Sequence, residues 1–261
     1  MNICTFASGS SGNCGLVRAG RTCLLLDAGI SARRIGAALA SLGVCPEELG
    51  GVLVTHEHSD HISGIEVLTR RWGVPVYATA GTARQLCYRI AGLEPSLRTF
   101  SAGESFRIGE IAVRSFPTSH DAAESVGYVL ESGERRAALC TDLGYLSREV
   151  LDAVPGAHLV ICEANHDEDW VRSGPYPFPL RKRILGEQGH LSNESGGALA
   201  LRCAQAGAHT ILLAHLSGEN NSPEHALDVV GGILTGGGYP PGKAVTLACA
   251  PRGECSPVYE V

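Results

Sequence analysis

The densest group of chemically competent side chains in this 261-residue chain is Thr55-His56-Glu57-His58-Ser59-Asp60-His61. Imidazole and carboxylate, with no thiolate among them, are ligands for divalent cations such as zinc, manganese or iron. The spacing is not that of a helical zinc motif, which needs its histidines at i and i+4 on one face. His56 and His58 alternate, as they would in an extended loop leaving a strand, and Asp60 and His61 turn away to start the next helix. Two diverging pairs of ligands suit two adjacent ions better than one. Residues of the same kind recur at the ends of apolar runs: Asp27 after CLLL, His56 after VLVT, Asp142 after AALCT, Glu163 after LVIC and His215 after ILLA. A sheet holds the backbone rigid while the loop beyond it exposes the side chain, so this pattern points to a site on one rim of a sheet core.

These residues must be carried by a set of short elements. Short apolar runs predict strands over Cys23–Leu26, Val52–Thr55, Val74–Ala78, Ile111–Phe116, Gly127–Leu130, Ala137–Thr141, Leu159–Cys162 and Thr210–Ala214. Amphipathic stretches predict helices over Ser31–Leu42, Ile62–Trp72, Thr82–Ala91, Ser147–Ala153, Glu194–Ala206 and Pro223–Val230. Gly43, Gly73, Gly92 and Gly207 stand where left-handed residues end helices. Asn193 followed by Glu194 reads as an N-cap with a first-turn carboxylate. No repeat or long linker interrupts the chain, which predicts an α/β fold in a single domain spanning 1–261.

Composition narrows the class. With 44% hydrophobic and 18% charged residues the chain is neither disordered nor fibrous, and 33 glycines and 13 prolines imply many tight connections. No apolar run is long enough to span a bilayer, and the N-terminal segment lacks the pattern of a signal peptide, so no membrane partner is expected. The 10 cysteines include no CxxC pair, and several lie in strand-like runs; reduced thiols in a cytoplasmic protein are expected. A net charge of −6 argues against a general nucleic-acid coat but not against a nuclease, whose ions supply positive charge locally.

The chain resembles the metallo-β-lactamase superfamily, whose defining loop is the His-x-His-x-Asp-His of residues 56–61. Asp27 in LLLDAG, His120 in FPTSHDAAESVGYVL, Asp142 in CTDLG and His215 in LLAHLS match its remaining motifs. The resemblance implies a four-layered αβ/βα sandwich of two mixed sheets flanked by helices. It implies two divalent metal ions, one taking His56, His58 and His120, the other Asp60, His61 and His215, with Asp142 bridging both. SGSSGNC (8–14), HEHSDHISG, EANHD (163–167), GHLSN (189–193) and AHLSGENN (214–221) are similar to the YycJ (WalJ) branch of metal-dependent DNA exonucleases. Glu163 and His190 resemble a Glu–His proton relay found in transfer-RNA 3′-processing members.

On that resemblance the activity is phosphodiester hydrolysis, specifically 5′-to-3′ cleavage of DNA. Asp60 orients the attacking water, and His190, held by Glu163, protonates the departing alkoxide. Asp27 steadies a ligand histidine or its loop. A structural histidine bonded to the following helix is the other reading of His190. Ser10, Ser11 and Asn13 form either a phosphate-binding nest or an ordinary Gly-Ser turn. His166 touches substrate or caps a turn. Arg181, Lys182 and Arg183, beside Tyr176 and Phe178, form either a nucleic-acid edge or a solvated charged face. His158, His209 and His225 match no motif and are placed outside the site. The competing activities are an RNA-processing nuclease of the same superfamily and a small-molecule thioester or lactam hydrolase. Between Asp142 and His215 there is no room for the extra domain that large RNA exonucleases insert there.

Overall fold

A computed structural model of the chain describes residues 1–261. Its strands are β1 (Asn2–Ala7), β2 (Cys14–Ala19), β3 (Thr22–Leu26), β4 (Leu49–Leu53), β5 (Val76–Thr79), β6 (Leu97–Phe100), β7 (Ser105–Ile108), β8 (Ile111–Pro117), β9 (Val126–Ser132), β10 (Arg135–Cys140), β11 (Leu159–Glu163), β12 (Thr210–Ala214), β13 (Thr246–Cys249) and β14 (Tyr259–Glu260). Its helices are α1 (Ala32–Ser41), α2 (Ser59–Ile62), α3 (Ile65–Trp72), α4 (Ala80–Arg89), α5 (Arg148–Ala153), α6 (Glu168–Ser173), α7 (Phe178–Ile184), α8 (Asn193–Gln205) and α9 (Pro223–Gly236). The strands form two seven-stranded sheets, in the orders β14-β1-β2-β3-β4-β5-β6 and β13-β12-β11-β10-β9-β8-β7. Both are mixed: β1 to β3 pair antiparallel and β3 to β6 parallel, while β9–β10 is antiparallel and β10 to β13 parallel. The chain divides into two compact units, residues 1–115 with 122–126 and 251–260, and residues 116–121 with 127–250 and 261.

In the first unit β3 and β4 are nearly all buried, and α1 lays Ala32, Ile35, Ala38 and Leu39 on one face against the same core. That spacing is the helical period, and Ser31 caps the start by accepting from Arg34 N. Burying each large aliphatic side chain contributes roughly 1.5–3 kcal/mol. In the second unit β11 and β12 are buried at every position, the continuous apolar pattern of central parallel strands. Helix α8 approaches closely enough that a Cβ on Gly196 would lie 2.2 Å from the Glu163 carbonyl oxygen, so only glycine fits there.

The strands and helices predicted from apolar periodicity are present, with shifted ends. The helix expected over 62–72 is divided into α2 and α3, because Gly64 N donates to Ala28 O at 2.8 Å and takes the backbone out of the helical ladder. The N-cap expectation for Asn193 is corrected. Ser192 is the cap, accepting from Ser195 N at 3.2 Å, while the buried Asn193 side chain exchanges two amide hydrogen bonds with Asn221, at 2.8 and 3.1 Å. Among elements not foreseen, α7 buries none of its residues, so it carries no apolar period to read. All ten cysteines are free, and no helix is long and apolar enough to cross a membrane.

Candidate functional site

Strands β3 and β4 of the first unit are parallel neighbours, so Asp27 and the 55–61 segment leave the sheet at the same edge. Asp27 organises the histidine loop. Its Oδ1 accepts from Thr55 N at 2.8 Å and its Oδ2 from His61 Nδ1 at 2.8 Å. The Thr55 hydroxyl lies 3.0 Å from Asp27 Oδ2 and 3.0 Å from His56 Nδ1. An ionised carboxylate only accepts, so the hydroxyl donates to Asp27 and in turn accepts from His56 Nδ1–H. Both imidazoles therefore carry their proton on Nδ1 and keep the lone pair on Nε2, the state in which histidine binds a metal. Asn13 supports the assignment for His61, with Nδ2 3.0 Å from that Nε2.

The backbone locks this loop in place. Asn13 N donates to Asp60 O at 2.7 Å and Ala28 N to His61 O at 2.8 Å. The loops touch so closely that a Cβ on Gly29 would stand 1.6 Å from Asp60 O. The ring centroid of His56 lies 4.5 Å from that of His58 and 4.1 Å from that of His61, and His56 and His61 are buried. Buried imidazoles with anchored Nδ1 atoms, next to the Asp60 carboxylate, make a donor set that fits a divalent cation.

Glu57, between the two motif histidines, is an anchor of a different sort. Its Oε1 accepts from Ala123 N at 2.8 Å, Oε2 is 3.4 Å from the Thr82 hydroxyl, and its own carbonyl accepts from Arg89 Nη1 at 2.6 Å. Glu57→Ala is expected to remove the carboxylate that accepts from Ala123 N, and a hydrogen bond to a charged acceptor contributes about 1.5–3 kcal/mol of stability. Chemical denaturation would measure this; an unchanged midpoint would show that the loop does not depend on Glu57.

In the second unit three adjacent parallel strands discharge the remaining candidates: β10 leads to Asp142, β11 ends in Glu163 and β12 leads to His215. Glu163 is fully buried. Its Oε1 lies 2.9 Å from both His190 Nδ1 and His215 Nδ1, and its Oε2 accepts from Leu191 N at 3.0 Å and Leu143 N at 3.2 Å. Burial alone would raise its pKa, but the charge and hydrogen bond of His190 and the hydrogen bond of His215 hold the carboxyl well below the usual carboxylate range. An ionised Glu163 accepts from both Nδ1–H groups, so both rings turn their Nε2 atoms away from the carboxylate. Asp142 Oδ1 stands 3.4 Å from His215 Nδ1 and 3.6 Å from His190 Nδ1. One donor atom from each of Asp142, Glu163, His190 and His215 lies within 4.8 Å of the others, a group able to hold a cation. Burial lowers the pKa of His120, so its imidazole favours the neutral, metal-binding form.

Backbone strain marks the same residues. The non-glycine residues with left-handed backbone are Asp27 (φ 56°), Asp142 (φ 59°) and His215 (φ 57°), each just beyond a strand end. Such conformations cost of order 1–3 kcal/mol and persist where the surroundings over-determine them, which concentrates them at functional sites.

The family model described as a β-lactamase superfamily domain matches residues 22–216. The chain belongs to the β-lactamase superfamily. It is 37% identical over 248 residues to the exodeoxyribonuclease YycJ of Bacillus anthracis, covering 95% of this chain and 94% of that one. To the exodeoxyribonuclease WalJ of Streptococcus pneumoniae serotype 2 it is 40% identical over 223 residues, covering 84% and 83%. The crystal structure of the metallo-β-lactamase fold protein YhfI from Bacillus subtilis matches with a TM-score of 0.73 and 17% identity over 100% of both chains, a likeness of fold.

The other expected residues of this superfamily chain differ in their surroundings. Ser10 and Ser11 are exposed at a turn, whereas Asn13 is engaged with Gly9, Asp60 and His61. His166 is buried, its carbonyl accepting from Asn193 N and its ring 3.3 Å from Asn165 Oδ1. On α7, Lys182 is exposed, an Arg181 guanidinium N–H meets the Arg172 carbonyl, and Arg183 pairs with Asp121. His158 stacks with His209, and His225 bonds to Asp167 at 2.8 Å. Sequence reasoning passed over Thr55, Glu57 and Asn165, whose Nδ2 donates to His215 O at 2.6 Å. All three lie inside motifs already singled out, but their partners are distant in the chain.

Proposed function

We propose that the chain is a metal-dependent phosphodiesterase of the exodeoxyribonuclease type, degrading DNA in the 5′-to-3′ direction in the cytoplasm. The observation that carries this reading is the buried Glu163 carboxylate, bonded at 2.9 Å to both His190 and His215 beside Asp142, in a chain similar over most of its length to two exodeoxyribonucleases. The proposed ligands are His56, His58 and His120 for one ion and Asp60, His61 and His215 for the other, with Asp142 serving both. Zinc, manganese or iron all suit nitrogen and carboxylate donors. Bound divalent ions supply Lewis acidity, lowering the pKa of water from about 15.7 toward 7 and neutralising charge on the phosphate oxygens.

The chain's own residues do the rest. Asp27 and Thr55 fix the tautomers of His61 and His56, so no proton must leave when their Nε2 atoms are used. Asp60 orients the attacking water through a carboxylate oxygen. His190 donates a proton to the departing 3′ oxygen, and Glu163 stabilises the charge it carries beforehand. Ser10, Ser11, Arg181 and Lys182 are proposed contacts for the polynucleotide.

The test is incubation with end-labelled single- and double-stranded DNA and RNA under a panel of divalent ions, with Asp60→Ala as control. Stepwise shortening of DNA from the 5′ end, lost in Asp60→Ala and in chelator, is expected. The Glu163–His190 pair favours one second reading, an RNA-processing nuclease, and preferential cleavage of the RNA substrates would install it instead.

A further inference from the structure

The aromatic side chain most open to solvent is that of Tyr88 on α4, 90% exposed. Helix α4 turns Thr82, Ala83 and Leu86 inward, while Arg84, Tyr88 and Arg89 are exposed. Arg84 and Tyr88 are four positions apart and so are neighbours on one helix face. The α4 sequence AGTARQLCYR contains no carboxylate, although the chain as a whole carries a net charge of −6. A ring left in water beside two guanidinium groups adds nothing to the core.

This face is joined to the histidine loop within the first unit. Arg89 Nη1 donates to the Glu57 carbonyl at 2.6 Å, between His56 and His58. A guanidinium has five N–H donors, so a bond to the loop leaves others for an anion. The neighbouring carboxylates are engaged elsewhere. Glu57 accepts from Ala123 N at 2.8 Å, Glu124 accepts from Gly81 N at 2.7 Å in the first turn of α4, and Glu66 pairs with Arg70 at 2.7 Å.

We propose that α4 binds a single-stranded segment of DNA beside the cleavage site, with a base stacked on Tyr88 and a backbone phosphate on Arg84, and that Arg89 continues this track to the histidine loop. The proposal rests on the polynucleotide reading of the site. Stacking on a side chain needs a free base face, and in a duplex those faces are covered by neighbouring pairs. Rings interleaved with cations are therefore a single-strand pattern.

The experiment compares steady-state degradation of an oligothymidylate, a blunt DNA duplex and a thymidine dinucleotide by the full chain in manganese. The proteins are the wild type, Tyr88→Ala, Tyr88→Phe, Arg84→Gln, Arg84→Lys and, as a control for net charge, a Gln variant of the exposed Arg114 on β8. Thermal unfolding verifies that each is folded. On oligothymidylate, Tyr88→Ala is expected to raise KM about 5–100-fold, the loss of one base–aromatic stack, and Tyr88→Phe to restore it. Arg84→Gln should flatten the dependence of log kcat/KM on log salt by about 0.7, one phosphate contact on a single strand, which Arg84→Lys retains. Both effects should shrink on the duplex and on the dinucleotide, which is too short to reach from the histidine loop along α4. Wild-type KM and salt slope in Tyr88→Ala and Arg84→Gln, equal losses on single strand and duplex, or an equal change in Arg114→Gln would overturn the proposal. If the wild type shortens the single strand and both α4 variants match it, the nuclease reading stands and the α4 track falls. A wild type that cleaves none of the three substrates removes both.

Discussion

His190→Ala is expected to slow phosphodiester cleavage by about 10²–10⁴-fold while leaving metal content at the wild-type level. The geometry separates those two quantities. Glu163 is 0% exposed and His215 3% by side chain, whereas the His190 ring is 16% exposed, so His190 is the member of the group that reaches outward. Its Nδ1 is engaged with Glu163 at 2.9 Å, which leaves Nε2 to exchange a proton with a leaving group. Single-turnover rates and elemental analysis on the same preparation measure both quantities. Loss of an ion together with activity would make His190 a ligand. An unchanged rate would leave it the structural histidine that the sequence also allowed.

Glu163→Gln should be more damaging, although it changes a single atom. In the native arrangement Oε1 accepts from two imidazole Nδ1–H groups and Oε2 from two backbone N–H groups, those of Leu143 and Leu191. Whichever way the amide is turned, its NH2 faces two donors. Each donor stranded in this way costs about 1–3 kcal/mol in a buried site. The substitution also releases the tautomer of His215, so metal affinity should fall about 10–100-fold along with the rate. Thermal unfolding and a metal titration check this. A variant with native stability and native affinity would mean that Glu163 serves His190 alone.

Glu163 shows where sequence reasoning reached and where it stopped. Its pairing with His190 was anticipated from two motifs, but its second imidazole partner, His215, was not. A parallel register that aligns Glu163 with Ala214 places the two strand ends side by side, and nothing in either motif encodes that alignment. The Asn193 correction has a similar origin. Asparagine is a good cap by intrinsic preference, but a buried partner 28 positions away, Asn221, offered its amide two hydrogen bonds, and Ser192 took the cap instead.

The strands, the helices with a clear apolar face and the chemical identity of the strand-end residues were legible in the linear order of amino acids. Periodicity and side-chain type are local properties, and burial of an apolar face leaves its imprint on neighbouring positions. Which imidazole nitrogen bears the proton, which carboxylate is shared, and why Asp27, Asp142 and His215 tolerate a left-handed backbone depend on groups brought together from far apart in the chain. Those features arise only when parallel strands align and their loops close on one another, because a hydrogen bond depends on distance in space and leaves no periodic trace in sequence.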